Sequence, residues 1–515
     1  MRKNSIIFLI IILISFILRI RFYFITNLPF STDAWSLIKN VEIIIQKGYL
    51  TQEVNNYEAN WPASQLFSAI LAKVIDANIL ELMAILFPLL SSFAIGIYYL
   101  LLARITNQNI ALIASLLLSV SGYNVFFTAG VTKETFAILF FYISIFSYYL
   151  ALKNKKYSII FLISTIALLF SHHFSYLNLI LPLIFFFTSY TIYCTIHNKR
   201  INRLPIILLA ISAILGLFYY NFISNLKVTG ITSSSEVIIF SAYQIFFLYI
   251  FTKLKIINSE TKGNISVIFF MLVIILAAYI SYTFDLLDVS ILTNPFFLSS
   301  FLLGIIMIYF ASKGYKSISN LNRVFFLSLP IPFLAFYFYE VFASSYIEAT
   351  FLSSRLLDFL FPTLFPLVAI GILNYKRKLR TIILGFILIL FIAQNIAIYP
   401  LQINGSGYQW LYFQGEFEGI KWFASHADKD AKIIGDMKVN QILAYFNLSS
   451  EVIKGYDYLY YHKNIERGYF IFVYEQMNNN GYVLFSKGEK IENLNDELNK
   501  YSKIYSNGDI EIFLS

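Results

Sequence analysis

Long apolar runs separated by short polar segments fill residues 1–399 of the chain. Most runs are near the roughly 20 residues that an α-helix needs to cross about 30 Å of hydrocarbon. The runs lie at residues 5–25, 81–103, 107–128, 133–152, 157–172, 176–195, 204–224, 236–252, 265–284, 290–311, 323–341, 356–373 and 379–399. This pattern predicts a polytopic α-helical membrane protein with about 13 transmembrane helices.

The basic side chains between the apolar runs predict an orientation. With Arg2 and Lys3 in the cytoplasm, every strongly basic segment falls on the same side: Arg104, Lys153, Lys155, Lys156, Lys199, Arg200, Arg203, Lys253, Lys255, Lys262, Lys313, Lys316, Arg323, Lys376, Arg377, Lys378 and Arg380. The short outer turns hold only Lys133, Lys227 and Arg355. Because basic residues accumulate in cytoplasmic loops, we expect a cytoplasmic N-terminus, with nearly all acidic side chains on the outer face.

Composition supports a multi-pass protein of the cell membrane. The chain is 58% hydrophobic and 13% charged, which is atypical of a soluble protein. The net charge of +9 lies mostly in the predicted cytoplasmic segments, where topology and anionic headgroups explain it, so no nucleic-acid partner is expected. The first apolar run is too long for a cleaved signal peptide. Cys194 lies inside a predicted span, so the external parts have no disulfide.

The external loop at residues 27–79 has a mixed pattern. Trp35, Ile38, Val41 and Ile45 recur at helical spacing, which predicts an interfacial helix over residues 34–47. Residues 62–78 are too short and polar for a span, and we expect a second helix that dips into the interface. We therefore assign residues 1–399, with this loop, to a transmembrane domain.

Residues 400–515 have the composition of an ordinary globular domain. Segments 416–426 and 437–446 are typical of helices, and 432–435, 469–474, 481–485 and 510–514 of strands. We expect a C-terminal extracytoplasmic α/β domain whose Asp and Glu side chains form a solvated surface. Two sequons, at Asn404 and Asn447, would then be accessible from outside.

Asp33 is the leading catalytic candidate. It follows the first span and precedes the predicted helix at 34–47, in Leu28-Pro-Phe-Ser-Thr-Asp-Ala-Trp. One interpretation is structural, because Thr32 or Asp33 can accept a capping hydrogen bond. A helix N-terminus would also keep a catalytic carboxylate ionised and oriented.

The run Phe16-Ile-Leu-Arg-Ile-Arg, followed by Leu28-Pro and Asp33-Ala-Trp, resembles the start of the C-superfamily (GT-C) glycosyltransferases. In these polytopic enzymes, which use lipid-phosphate sugars, an acidic residue begins the first external loop. Within this superfamily, the chain resembles the protein mannosyltransferase and aminoarabinose transferase-like group. It departs from the pattern at Ala34, where many relatives have a second acid, so a metal-binding carboxylate pair is not expected there. No cofactor is implied with certainty, and a divalent metal stays an open alternative.

Five further external residues complete the candidate site. Glu134 opens the fourth span beside Lys133, a cation that disagrees with both topology and helix dipole and therefore suggests anion binding. His172 and His173 end the fifth span, and Arg355 begins the twelfth. The resemblance implies an acid at Glu134 and an arginine facing the lipid phosphate at Arg355. The alternatives are a helix-terminal acid for Glu134, interfacial packing for the histidines and snorkelling for Arg355.

The sequence thus predicts a membrane transferase that moves a sugar from a polyprenyl-phosphate donor to a lipid, glycan or protein acceptor on the outer face. Because no covalent nucleophile is implied, we expect inversion at the anomeric carbon. The oligosaccharyltransferase motif of the Trp-Trp-Asp type is absent, so a single sugar is the expected cargo. We further expect Asp33, Glu134, His173 and Arg355 to converge on one outward-facing cavity.

Two other function classes remain open from the sequence. A transporter or flippase of lipid-linked sugars would predict repeated halves and ionisable residues near the membrane midplane. A non-catalytic surface or assembly protein would use its external domain alone.

Overall fold

A computed structural model describes residues 2–50, 56–224, 295–318, 320–335, 349–398, 410–484 and 488–515. The contacts divide the chain into two compact units. The helical unit contains Met1–Leu18, Leu90–Phe127 and Lys133–Tyr399, and the mixed unit contains Arg19–Leu89, Thr128–Thr132 and Pro400–Ser515. The predicted spans at 236–252 and 265–284 lie outside the described residues, as do the sequon at Asn404 and Lys227.

Helices make up nearly all of the described chain before residue 399. They are α1 (Arg2–Thr26), α2 (Ala34–Lys47), α3 (Asn56–Ala59), α4 (Ala63–Ile75), α5 (Ile79–Ile105), α6 (Gln108–Val120), α7 (Gly122–Ala129), α8 (Lys133–Ala151), α9 (Lys156–Ser171), α10 (His173–Ile196), α11 (Leu204–Phe218) with a π-helix at Tyr219–Ile223, α12 (Pro295–Lys316), α13 (Asn320–Ser328), α14 (Ala349–Leu373) and α15 (Arg377–Ile398).

Seven helices among the described residues are long and apolar enough to cross a membrane, or eight if a bent pair counts as one span. They are Asn4–Thr26, Ile79–Ile105, Lys133–Ala151, His173–Thr195, Leu204–Ile223, Arg355–Leu373 and Arg377–Ala397. The prediction of a polytopic α-helical membrane protein is therefore confirmed at this coarser level.

The bent pair is α6 and α7, which meet at an angle of 63°. The sequence pattern predicts one continuous span at 107–128, but the helix breaks at Ser121. Gln394 accepts a hydrogen bond from the Gly122 N–H (2.8 Å), and Asn395 donates one to the Val120 carbonyl (2.7 Å). A helix can break in an apolar environment when neighbouring side chains satisfy the backbone groups that the break releases.

A pair of glycines brings α12 and α14 into backbone contact. A Cβ atom at Gly314 would lie 1.9 Å from the Leu367 carbonyl oxygen, and one at Gly371 would lie 1.9 Å from that of Phe310. Small residues that allow such close approach are typical of helix packing in membranes. Arg355, on α14, is therefore carried by a helix that is packed tightly within the helical unit.

The mixed unit contains a four-stranded sheet in the order β1-β2-β6-β5. β1 and β2 pair in parallel, and the other neighbours pair antiparallel. The elements after residue 410 are α16 (Gln414–His426), β1 (Lys432–Ile434), α17 (Met437–Tyr445), α18 (Val452–Tyr460), β2 (Tyr469–Tyr474), α19 (Glu475–Asn480), β3 (Tyr482–Val483), β4 (Gly488–Glu489), α20 (Leu494–Leu498), β5 (Ser502–Ser506) and β6 (Ile510–Leu514).

Residue type explains the central strands. β2 and β6 are rich in β-branched and aromatic residues, and most of their side chains are buried. The segments predicted at 416–426, 437–446, 469–474 and 510–514 coincide with α16, α17, β2 and β6. The sequence pattern missed α18 and β5, because α18 reads as a tyrosine-rich polar stretch and the side chains of β5 are mostly exposed.

A buried ion pair lies between α16 and α17. The Lys438 ammonium group is 2.7 Å from a Glu416 carboxylate oxygen and 2.8 Å from the Gln476 side-chain oxygen. Asp436 is also buried and accepts hydrogen bonds from the Tyr474 hydroxyl and from the Val439 and Val483 N–H groups. The expectation that acidic residues of this segment form a solvated surface is therefore wrong for Glu416 and Asp436, which are 3% and 0% exposed.

Burial shifts these groups toward their neutral forms. It raises the pKa of the Glu416 carboxyl above its ordinary value, against the opposing effect of Lys438. Burial likewise lowers the pKa of Lys438, while Glu416 acts to raise it. Each charge of the pair is thus tolerated inside the protein because the other is present.

We expect Lys438→Met to lower the free energy of unfolding by about 3–5 kcal/mol, because it leaves the Glu416 carboxylate buried without a cation. A raised carboxyl pKa means that the folded state holds the proton more tightly than the unfolded state. The loss should therefore be full above the pKa of Glu416 and should shrink as the pH falls through it. Melting curves of the purified protein at several pH values measure this dependence.

Two variants control this prediction. Glu416→Gln combined with Lys438→Met should recover much of the loss, because no uncompensated charge remains. Lys421→Met removes a lysine from an exposed pair with Glu418 and should change little. A Lys438→Met protein as stable as the wild type at neutral pH would contradict the prediction.

Candidate functional site

Asp33 lies at the start of α2 in the mixed unit. It occupies the N-cap position, but its side chain makes no capping hydrogen bond to the helix. The Asp33 carbonyl instead accepts hydrogen bonds from the Leu37 N–H (3.3 Å) and from the Ser36 hydroxyl (3.1 Å). The capping interpretation therefore does not account for the carboxylate, which is partly exposed at this turn.

The turn before Asp33 is held in an uncommon backbone conformation. Ser31 has φ of 101°, a value that a residue with a side chain rarely adopts. Its N–H donates to the Trp410 carbonyl (2.9 Å), and its hydroxyl oxygen accepts from the Asp33 N–H (3.3 Å). The neighbouring Phe30 carbonyl accepts from the Val131 N–H (2.9 Å). Strain of this kind persists where surrounding contacts determine the geometry, and it is concentrated at functional sites.

Trp35, one turn into α2, fixes the helix against the C-terminal segment. Its side chain is fully buried, with ring centroids 5.2 Å from both Tyr412 and Phe417 and 5.9 Å from Tyr445. The Tyr412 ring also lies 5.3 Å from the Lys438 ammonium group. Burial raises the pKa of Tyr412 well above its ordinary value, and the negative charges of Glu416, Asp436 and Asp33 add to this shift.

The helical unit holds the basic candidates. Glu134, in the first turn of α8, faces Arg355 on α14, with 3.8 Å between the carboxylate oxygen and the guanidinium nitrogen. The Glu134 side chain is 8% exposed and that of Arg355 is 23% exposed. Lys133, which directly precedes Glu134 in the sequence, is also buried. The structure thus brings together an acid and a cation that are separated by most of the transmembrane sequence.

His172 and His173 are arranged differently from the expectation. The sequence pattern predicts that both histidines end one helix, the fifth span. In the structure, His172 has an extended backbone and separates α9 from α10. Its Nδ1 atom accepts a hydrogen bond from the Ser175 N–H (3.4 Å) and so caps α10, and the same atom lies 2.8 Å from the Ser175 hydroxyl. The positive charges of Lys133 and Arg355 act electrostatically on both imidazoles, which places the histidines near these cations.

A buried carboxylate on α14 was missed by the sequence reasoning. Asp358 is 1% exposed and accepts a hydrogen bond from the Asn124 side chain on α7 (3.1 Å). It lies one turn after Arg355, on the same helix. The signal was present, because a carboxylate inside an apolar span is expensive and usually functional.

The predicted site residues therefore fall into two sets. Lys133, Glu134, His172, His173 and Arg355 belong to the helical unit, whereas Asp33 belongs to the mixed unit. The convergence of Asp33, Glu134, His173 and Arg355 on one cavity stays a prediction. Within the part of the chain that the structure describes, no group of three or more His, Cys, Asp or Glu side chains could hold a metal ion.

Comparison with solved structures identifies the fold. The oligosaccharyltransferase AglB from Archaeoglobus fulgidus, in complex with an inhibitory peptide and a dolichol-phosphate, matches 100% of this chain and 74% of its own, with a TM-score of 0.58 and 12% identity. The apo form of the Archaeoglobus fulgidus enzyme matches 92% of this chain and 70% of its own, with a TM-score of 0.56 and 12% identity. At this level of identity, the likeness shows that the chain shares the fold of the Archaeoglobus fulgidus oligosaccharyltransferase.

Two further matches set the limits of this likeness. In the Archaeoglobus fulgidus oligosaccharyltransferase complex with Zn and sulfate, 87% of this chain aligns at 14% identity with a TM-score of 0.54 but spans only 62% of that chain. ArnT from Cupriavidus metallidurans bound to undecaprenyl phosphate aligns over 99% of this chain and 97% of its own at 11% identity, with a TM-score of 0.41, which does not establish a shared fold. No protein-family model matches the sequence, and a search of curated proteins finds no match.

The strained turn gives a test of how rigidly the Asp33 loop is held. We expect Ser31→Val to lower the free energy of unfolding by about 1–3 kcal/mol, because a β-branched residue tolerates positive φ poorly. Ser31→Gly removes the same hydroxyl without backbone strain, so it should be the more stable of the two variants. Melting temperatures of both purified variants measure the difference, and equal stability would show that the turn is not strained.

Proposed function

We propose that this protein is an integral membrane glycosyltransferase, which moves a sugar from a polyprenyl-phosphate donor to an acceptor hydroxyl. The observation that carries the proposal is the Glu134–Arg355 pair, with Lys133 beside it, in a chain that has the fold of a lipid-dependent transferase. The oligosaccharyltransferase with the same fold was solved with a dolichol-phosphate. A lipid phosphate is the class of ligand that the proposal requires, and the membrane supplies its chain.

Arg355 and Lys133 are the groups proposed to hold the donor phosphate. Arginine binds phosphate through two parallel N–H groups, and a lysine adds a point charge. His172 and His173 lie within the electrostatic influence of both cations and are proposed to contact the sugar or the phosphate. The three charges of Lys133, Glu134 and Arg355 sum to one positive charge, which suits the single negative charge of a phosphodiester donor.

Asp33 is proposed as the general base. It accepts the proton of the acceptor hydroxyl, whose oxygen forms a bond to the anomeric carbon as the bond to the phosphate oxygen breaks. Polyprenyl phosphate then leaves with two negative charges, which Arg355 and Lys133 stabilise. One displacement on one face inverts the anomeric configuration. Glu134 is proposed to orient Arg355 through the observed contact. It is also proposed to orient the acceptor or the sugar.

The wider arrangement follows the same proposal. Residues 1–399 form a transmembrane domain of about 13 helices, with the N-terminus in the cytoplasm, and residues 400–515 form an extracytoplasmic α/β domain. The acceptor is a lipid, a glycan or a protein, and a single sugar is transferred. The solved structures described above are transferases, which supports this function over the transporter alternative.

Asp33→Asn is expected to lower kcat by about 10²–10⁴-fold, because an amide cannot accept the proton of the acceptor hydroxyl. Donor binding should remain, since the phosphate contacts are unchanged. Transfer from a panel of polyprenyl-phosphate sugars to extracted membrane acceptors, by enzyme reconstituted in lipid, measures the rate. Asp76→Asn, an acid in the same external loop, is the matched control and should retain full activity. Unchanged transfer by Asp33→Asn would refute the assignment of the base.

Arg355→Gln is expected to lower kcat/KM for the donor by about 10–100-fold, the effect of one lost hydrogen bond to a charged group. Arg355→Lys should retain part of the activity, because it keeps the charge but loses the two-pronged geometry. Arg377→Gln removes an exposed arginine from the predicted cytoplasmic side and serves as the control. Initial rates over a range of donor concentrations separate these cases. A normal kcat/KM for the Arg355→Gln enzyme would show that Arg355 does not bind the donor phosphate.

A further inference from the structure

A cluster of tyrosines covers the exposed side of α18 in the mixed unit. Ile453, Tyr456 and Tyr460 follow the spacing i, i+3 and i+7, so they lie on one face of the helix. Tyr461 continues the cluster in the next turn. Ile453, Tyr460 and Tyr461 are 64%, 38% and 59% exposed. We call Tyr456, Tyr460 and Tyr461 the tyrosine platform.

The rings of the platform form a right-angled corner. Tyr456 and Tyr460 are stacked, with centroids 4.7 Å apart and an interplanar angle of 19°. The Tyr461 ring stands at 83° to that of Tyr460, with 5.1 Å between the centroids. Tyr460 and Tyr461, which are both exposed, therefore present two aromatic rings at nearly a right angle at the surface.

Buried residues of the mixed unit hold the platform rigidly. Tyr456 packs on Tyr482, which is fully buried and whose hydroxyl lies 2.9 Å from the Gly435 carbonyl and 2.7 Å from the Val452 carbonyl. A Cβ atom at Gly455 would lie 2.5 Å from the Tyr482 hydroxyl oxygen, so the glycine allows α18 to approach this closely. A preorganised surface of this kind loses little conformational entropy when it binds a ligand.

The charges around the platform are neutralised in pairs. Lys463 lies 3.2 Å from Asp457, and Lys454 lies 3.4 Å from Glu451. The helix therefore presents no excess of positive charge that would attract anionic lipid headgroups or nucleic acid. The surface of α18 presents aromatic rings, phenolic hydroxyls and surrounding paired polar groups to a ligand.

We propose that the tyrosine platform binds a neutral oligosaccharide of pyranose units. A pyranose ring has a face of C–H groups that packs on an aromatic ring, and a rim of hydroxyls that hydrogen-bonds to groups such as Asp457 and Lys463. Tyrosine provides both an apolar face and a polar edge. The platform contains none of the candidate catalytic residues, and binding there does not depend on the proposed transfer reaction.

The test uses the full-length protein in nanodiscs of phosphatidylcholine, without donor. Saturation-transfer difference NMR with maltohexaose and with chitohexaose, each at millimolar concentration, detects binding. We expect binding of at least one probe, and an affinity about tenfold lower in the double variant Tyr460→Ser/Tyr461→Ser. Tyr49→Ser changes a tyrosine that is 62% exposed outside the platform and should leave binding unchanged.

Three results would overturn the proposal. The first is no binding of either probe by the wild type, and the second is an equal loss with Tyr49→Ser. The third is additional fluorescence quenching of a Tyr461→Trp variant by brominated lipid, which would place the platform in the bilayer. The Asp33→Asn protein should bind the probes normally, so a failure of the proposed function would be distinguishable from a failure of this site.

Discussion

The packing of Trp35 among Tyr412, Phe417 and Tyr445 is the contact on which the mixed unit depends. It joins α2, near the N-terminus, to the segment that begins at residue 410. Most of the transmembrane sequence lies between these two parts of the chain. The entropic cost of closing so long a loop grows only with the logarithm of its length, and a cluster of fully buried aromatic rings can offset it. Asp33 begins the same helix. Its position is therefore set by residues of the C-terminal segment, and Tyr412 links it to the buried Glu416–Lys438 pair.

The helical unit obeys a different constraint. In an apolar medium every backbone polar group needs a partner within the protein, so a helix that breaks must be repaired by side chains. Gln394 and Asn395 perform this role at the break between α6 and α7, and Asn124, at the start of α7, reaches Asp358. Since Asp358 and Arg355 share α14, the break is connected through one helix to the arginine that is proposed to bind the phosphate.

The sequence predicts the elements whose pattern is strong and local. The period of 3.6 residues gives α2 with its observed bounds, and the apolar runs give the long spans. It could not predict the break at Ser121, because the partners that make it tolerable lie on α15. It also assigned Glu416 and Asp436 to the surface, since an acid in a polar stretch gives no sign of a lysine that will be buried against it. Asp33, Glu134 and Arg355 could be singled out from topology and resemblance, whereas the contact between Glu134 and Arg355 is a tertiary fact that spacing does not contain.

The charges in the helical unit suit the change that the proposed reaction makes. A polyprenyl-phosphate sugar is a phosphodiester with one negative charge, and the departing polyprenyl phosphate monoester has two. Cations at the phosphate therefore bind the transition state more strongly than the donor, which is the condition for raising kcat rather than only lowering KM. Glu134 weakens this effect by its own charge, but its contact with Arg355 is long, at 3.8 Å, and phosphate offers the guanidinium two shorter hydrogen bonds. In the proposed reaction, Arg355 therefore exchanges its contact with Glu134 for the donor phosphate, and Glu134 holds the guanidinium group in position until the donor arrives.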